Sequence, residues 1–420
     1  MMSAWRFAIL TAVASIIAGR LSYADPQKPF PQHVGYPGAA LSVSSRTQPQ
    51  MDDEVAAYHV TWKSRYLVDA GEDGTGHDML RVAHERSPEP DTVSEGQGYG
   101  MVITALMAGA DPNAQSDFNA MWHYVKAHPS SVNPHLMDWH QPADMASEPN
   151  DDDSAFDGDC DIAYSLLLAS AQWGDGGAIN YGSEAATMID AIGDATVGPN
   201  SRLPQLGDWV LDSPSGKFNE YSVRTSDFMI TNFRAFHSAT SDTLWLDVVN
   251  ACQSVSKSIA TDFAPDTGLL PDFIVRKKKK GVFRMMPAHG KLIETRLDGT
   301  YGFNACRDPW RFGMDGLMTN DATSTLLARR MSQFVRASCQ NDPPALHAGY
   351  KLDGKPANKS AYFSGAFAAP LAVAARLEGA EAQSWLNALY AAAAANDDNY
   401  YEDTLSLLAL LVLSNNWWTP

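Results

Sequence analysis

Cysteine is scarce: four residues among 420, Cys160, Cys252, Cys306 and Cys339, with no CxxC spacing. That excludes a small disulfide-stapled domain and offers no zinc-ligand pattern. Each cysteine sits in a stretch that reads as helix, so three pairings or buried free thiols stay open, and none carries a catalytic expectation. Basic charge is thin as well. Lys and Arg number 31 against 49 Asp and Glu, a net charge of −18, which excludes nucleic acid as the expected partner, since phosphate backbones are themselves anionic. No tract is compositionally biased, and 45% hydrophobic with 10% aromatic residues suffices for a large core, which excludes global disorder. Beyond the first two dozen residues no stretch approaches the eighteen or so apolar residues of a membrane span.

Those first residues read as a targeting segment. Met1 to Arg6 is a short cationic start, FAILTAVASIIAG follows from Phe7, and Leu21-Ser22-Tyr23-Ala24 ends in the small residues a signal peptidase reads. We therefore expect a signal peptide over 1–24 and a mature protein that is secreted or periplasmic and free of the membrane. Cleavage removes Arg6 and Arg20 but no acid, moving the balance to −20. Residues 25–50, rich in Pro, Gln and Ser, read as a loose N-terminal lead, with order beginning near Met51.

From there the apolar periodicity predicts about twelve helices, near 51–66, 94–109, 115–127, 155–173, 182–194, 226–238, 243–262, 304–317, 323–338, 360–376, 380–395 and 400–415. Convincing strands are nearly absent. Some helices are apolar all round, such as LSLLALLVL from Leu405, and others are amphipathic, such as TLLARRMSQFVRA from Thr325. That alternation suggests two layers, which makes the fold class all-α, an (α/α)6 barrel: a toroid of six inner and six outer helices. A helical solenoid would need a repeat near 34 or 40 residues, and none is present. Residues 51–420 thus read as a single domain, with the long connections 67–93, 128–154, 195–225 and 263–303 available to build a site on one face.

Three clusters carry chemistry. Ser94-Glu95-Gly96-Gln97-Gly98-Tyr99-Gly100 opens a helix, with Ser94 expected as N-cap and a Glu favoured by the helix dipole. The acidic run from Asp151 to Asp161 leads into the apolar helix from Ile162; Ala155 breaks the alternation of a calcium loop and no twelfth-position Glu follows. Its Asp157, Asp159 and Asp161 should face the mouth of the toroid. The third cluster, Tyr301 to Arg311, brings an arginine, an amide and aromatics to another helix start. Stacking surface beside hydrogen-bonding groups and carboxylates suits a sugar. The basic run Arg276 to Lys280 reads as a solvated loop tip.

The stretches SEGQGYGM, AFDGDCDIAYSLLLA and NACRDPWR, in this order, resemble the inverting endo-glycosidases of glycoside hydrolase family 8. Leu136-Met137-Asp138-Trp139, TSDFMITNFRAF from Thr225 and GLLPDF from Gly268 extend the resemblance over about residues 90–315. Phe156 departs from the Ser or Thr common there. The resemblance implies an (α/α)6 barrel, no metal and no organic cofactor, and catalytic roles for three residues. Glu95 matches the general acid, Asp157 the aspartate that binds and distorts the sugar at the cleavage point, and Glu294 is expected as the base. Trp139, Tyr99, Arg307, Asn304 and Asp227 are implied as substrate-binding, Trp139 by stacking and Arg307 beside the base.

The assignment of Glu294 follows from Asn304. Many family members carry Asp here as the base, and an amide cannot accept that proton; a subgroup with Asn draws its base from a Glu in the preceding long loop. Glu294 is the sole Glu between residues 263 and 303. Asp298 is the next candidate. For inversion the two carboxyls should stand roughly 6.5 to 9.5 Å apart. The expected activity is endo-hydrolysis of β-1,4 linkages in chitosan or β-glucan by a monomer, with two alternatives: cellulase-type specificity, or a catalytically silent carbohydrate-binding protein on the same barrel.

Overall fold

Apolar residues at i, i+3, i+4 and i+7 drive most of the chain into helices, and the computed structural model, which describes residues 23–143, 152–210, 216–358 and 362–420, carries twelve α-helices among them. They are α1 (Gln48–Tyr66), α2 (Ser94–Leu106), α3 (Ala114–Ala127), α4 (Phe156–Trp173), α5 (Tyr181–Thr196) and α6 (Ile230–Thr240), then α7 (Leu244–Asp262), α8 (Asp308–Thr319), α9 (Ala322–Ser338), α10 (Gly365–Ala375), α11 (Gln383–Ala394) and α12 (Tyr400–Leu413). Each matches an expected stretch to within a few residues. The first is closed by a capping box, Thr47 and Gln50 exchanging side-chain and backbone bonds.

The two layers follow from what each helix can bury. Helices α2, α4, α8, α10 and α12 are buried almost all round, whereas α9 buries only the stripe Ser324, Leu327, Ala328, Met331, Ser332 and Val335. The even-numbered helices touch in chain order from α2 to α12, and α12 touches α2 again, closing a ring. Each odd-numbered helix packs outside an even one, α3 on α2 and α1 on α12 for instance. Within the ring α2 and α4 approach unusually closely. A Cβ on Gly158 would lie 2.1 Å from Ser94 Oγ, so glycine there is what lets the two helix starts meet.

Two expectations need correction. Residues 25–47 are not loose: they run as irregular chain across the C-terminal ends of the inner helices, with Phe30 N–H donating to Ala108, Val34 to Asn415 and Leu41 to Arg376. Tyr36 and Val43 are buried there. Pro and Ser made the segment look disordered, but the exposed ring end supplies its partners. Strands are also present, in three small sheets within the long connections. These are β1 (Leu67–Glu72) with β2 (Asp78–Val82), β3 (Thr92–Val93) with β4 (His140–Gln141), and β5 (Ser222–Arg224) with β6 (Phe273–Lys279) and β7 (Val282–Pro287). The β6–β7 register pairs Lys279 with Val282, leaving Lys280 and Gly281, both at positive φ, as a two-residue turn. The basic run is therefore the solvated end of a hairpin, not an irregular loop.

The four cysteines are free and buried. Residues 1–22, most of the expected signal peptide, and Asp151 lie outside the described residues. Among those described, no helix is long and apolar enough to cross a membrane.

Candidate active site

The starts of α2 and α4 and the segment leading into α8 meet at the end of the ring opposite the N-terminal segment, and a cleft of about 580 Å³ opens above them. Glu95, Trp139, Asp157, Glu294 and Asn304 all line it. So do Asp153, from the acidic run, and three residues the sequence reading did not single out: His84, Trp209 and Arg224. The motif Gly207-Asp208-Trp209, an aromatic beside a turn in a long connection, was the available signal for Trp209; nothing local marked His84 or Arg224.

Arg307 is the hub below the cleft, buried, donating from Nη1 to Glu95, to Asp157 Oδ2 (3.0 Å) and to the Tyr99 hydroxyl (3.2 Å), and from Nη2 to Ser226 Oγ (2.8 Å) and Asn304 Oδ1 (3.2 Å). One planar guanidinium thus ties together α2, α4, the turn after β5 and the approach to α8. Glu95 keeps 18% of its side chain open to the cleft. Burial pushes its carboxyl up from the usual range, against the pull of Arg307 and with the help of Asp157. Asp157 goes the other way. Burial opposes its ionisation, but the guanidiniums of Arg224, Arg307 and Arg311 outweigh that and hold it below the usual range. Two neighbouring carboxyls are thus pushed apart in proton affinity.

Glu294 is 43% exposed. Its Oε2 accepts from Asn304 Nδ2 at 2.9 Å and its Oε1 stands 4.0 Å from Arg224 Nη2. Its loop is shaped by Asp298, a buried carboxylate that accepts the backbone N–H groups of Leu292, Ile293 and Glu294 at Oδ2 (2.8, 2.8 and 3.2 Å) and of Thr295 at Oδ1 (2.7 Å). Asp298 is engaged by these bonds at both oxygens and sets the loop that carries Glu294. Asp272 does the same for Asn304: its Oδ1 accepts the N–H groups of Gly302, Asn304 and Ala305 at 2.7 to 3.1 Å. Sequence reasoning missed both roles.

Three of the expected sugar contacts sit lower than foreseen. Tyr99, Arg307 and Asp227 are each 1% exposed and lie beneath the cleft floor rather than in its wall. A buried Tyr99 ring cannot stack on a sugar; its hydroxyl faces Arg307 instead. Asp227 has its carboxyl pushed up to about 7 by burial, with Asp157 adding to the effect and Arg224 opposing it. Asp159 and Asp161 also turn inward: Asp159 accepts from Met137 N–H at 2.8 Å, and Asp161 pairs with Asn232 and Arg311. Only Asp157 of that helix start reaches the cleft, because the 3.6-residue period rotates its neighbours away. Ser94 does not cap α2; Val93 holds that position, and Ser94 Oγ is pressed against Gly158. The β3–β4 pairing instead anchors this helix start, and Ser94 N–H donates to Trp139 O at 2.9 Å, which fixes Trp139 at the rim.

The family model of the glycosyl hydrolases family 8 matches residues 29–415. A β-glucanase of Niallia circulans is 38% identical over 405 residues, covering 96% of this chain and 94% of that protein. An endoglucanase of Bacillus sp. strain KSM-330 is 35% identical, covering 94% and 83%. Among solved structures, a β-1,3-1,4-glucanase from Paenibacillus sp. X4 superposes with a TM-score of 0.86 at 39% identity, covering 94% of this chain and 100% of that one. A cold-adapted family 8 xylanase shares the fold at 19% identity, with a TM-score of 0.70 over 91% and 97% of the two chains.

Proposed function

The chain belongs to glycosyl hydrolase family 8, and from that premise we propose an inverting mechanism with Glu95 as general acid and Glu294 as general base. It is a glycoside hydrolase, an endo-β-glycosidase acting on β-glucan, which sets aside the silent-binder alternative. We place mixed-linkage β-glucan ahead of chitosan and of cellulose-type substrates, on the names of the relatives at 35 to 39% identity. The closed ring of inner helices supports reading the scaffold as an (α/α)6 barrel.

One observation carries the mechanism: two carboxyls of opposite setting line a single cleft, Glu95 largely enclosed and biased toward its protonated form, Glu294 open to solvent and turned toward Asn304. Glu95 protonates the departing glycosidic oxygen while Glu294 takes a proton from the water that attacks C1 from the opposite face. The separation this requires, roughly 6.5 to 9.5 Å, leaves room for that water. Asp157, kept anionic by its arginines, stabilises the positive charge that develops on the sugar ring. Trp139 and Trp209, both half-buried in the cleft wall, offer apolar faces to pyranose rings. We further read the protein as exported and monomeric, the first resting on the apolar start of the sequence.

Reducing-sugar release from barley β-glucan, carboxymethylcellulose, chitosan and xylan tests the substrate, and the anomer first formed, followed by proton NMR, tests the stereochemistry. Release of β-anomer from β-glucan would overturn inversion.

A further inference from the structure

Away from the cleft, the β1–β2 hairpin turns through Asp73 to His77 and lies against α3, which carries His123. The turn fixes the carboxylate. Oδ1 of Asp73 accepts the N–H groups of Thr75 (2.8 Å) and His77 (3.0 Å) and the Thr75 hydroxyl (2.7 Å), while Oδ2 stands 3.1 Å from His77 Nδ1. The imidazoles of His77 and His123 lie parallel, 2° apart, with centroids 4.3 Å apart. One donor atom from each of Asp73, His77 and His123 lies within 4.8 Å of the other two.

We propose that Asp73, His77 and His123 form a binding site for a borderline divalent cation of the Zn²⁺ class, with water completing the coordination. Two imidazole nitrogens and a carboxylate suit Zn²⁺, Co²⁺ or Ni²⁺, whereas Ca²⁺ and Mg²⁺ demand oxygen donors. Donors around a tetrahedral zinc sit roughly 3.4 Å apart, given bonds near 2.1 Å, and an imidazole lone pair lies in its ring plane, so to share an ion the triad must close and the parallel rings must turn out of their stack. His77, 57% exposed, has the room to turn, at the cost of its Nδ1 contact with Thr75 Oγ1 (2.7 Å). Asp73 is set by its own turn. The ion would join a surface hairpin to a helix of the outer layer, and β2 runs on toward His84 at the cleft rim. Its role is a staple, apart from the chemistry of hydrolysis.

The test uses the full-length enzyme freed of metal with a chelator. Titration with Zn²⁺ should show one ion bound per chain and a Tm raised by about 2 °C or more at saturation. Co²⁺ in its place should give visible absorption characteristic of low-coordinate, histidine-ligated cobalt. Asp73→Asn, His123→Ala and the exposed His77→Ala should each lose the binding, while His135→Ala, exposed and outside the triad, should keep it; His77→Ala tests the site even if a half-buried variant folds poorly. Absence of one-to-one binding, or binding that survives His77→Ala and His123→Ala, would overturn the proposal.

Discussion

Asn304 sits between an arginine and a glutamate, accepting at Oδ1 from Arg307 Nη2 (3.2 Å) and donating from Nδ2 to Glu294 Oε2 (2.9 Å). Arg307 can only donate, so it fixes which end of the amide faces it and thereby turns the NH₂ toward Glu294. An amide is the group this gap requires. The residue that cannot act as a base instead orients the one that we propose does.

Replacing Glu294 by Gln keeps its volume but removes the proton acceptor. The expected result is a loss of about 10²- to 10⁴-fold in kcat on β-glucan, with oligosaccharide binding retained by calorimetry. Unchanged kcat would move the base elsewhere. Glu95→Gln should cost as much on polysaccharide yet far less on an aryl glycoside whose leaving group needs no proton.

Asn304→Asp sets a second carboxyl against Glu294. A neighbouring like charge disfavours ionisation, so the proton affinity of Glu294 rises and the acidic limb of the kcat/KM profile moves to higher pH. Activity should fall most at low pH and least above neutrality. A profile that does not move would mean that Glu294 does not titrate in that limb.

Asp298 is expected to act through Glu294 alone. Asp298→Asn puts an NH₂ where backbone N–H groups now converge, so the 292–295 loop must shift. A displacement of the base by even 1 Å can cost on the order of 10²-fold. The loss should fall on kcat and leave KM nearly unaltered, since Glu294 acts in the chemical step. An equal rise in KM would point to a general collapse of the cleft.

Much of this was legible in the sequence because helices announce themselves locally. The stripe in α9 and the unbroken apolar run of α12 each fix a helix and its layer without reference to the rest of the chain. The motifs likewise placed Glu95, Asp157, Asn304 and Trp139 together, and Asn304 directed attention to Glu294. What stayed hidden is set by partners far away in the chain. Residues 25–47 look disordered until the ring end they cover exists, and Tyr99 counts among the sugar contacts until Arg307 claims its hydroxyl. Asp272 reads as one residue of a motif and Asp298 as a second base candidate, since nothing local tells that four backbone N–H groups will converge on Asp298.

Asp227 ties the site to stability. Its Oδ2 finds no hydrogen-bond partner among the described residues, its Oδ1 has only Ser226 Oγ at 3.5 Å, and Arg224 stands no closer than 4.0 Å. Burial, the largest influence, leaves its carboxyl at about 7, against about 3.9 in an unfolded chain. The folded state therefore binds more protons than the unfolded state between those values, so this group's contribution is fully present below about pH 4 and is lost as pH rises toward 7. The full span is worth on the order of a few kcal/mol. Asp227→Asn, neutral at every pH, should abolish that loss: relative to the wild type it should gain urea resistance steadily from about pH 4 to pH 7 and level off above. Parallel urea midpoints for the two proteins across that range would show that Asp227 is ionised in the fold and paired with Arg224 after all.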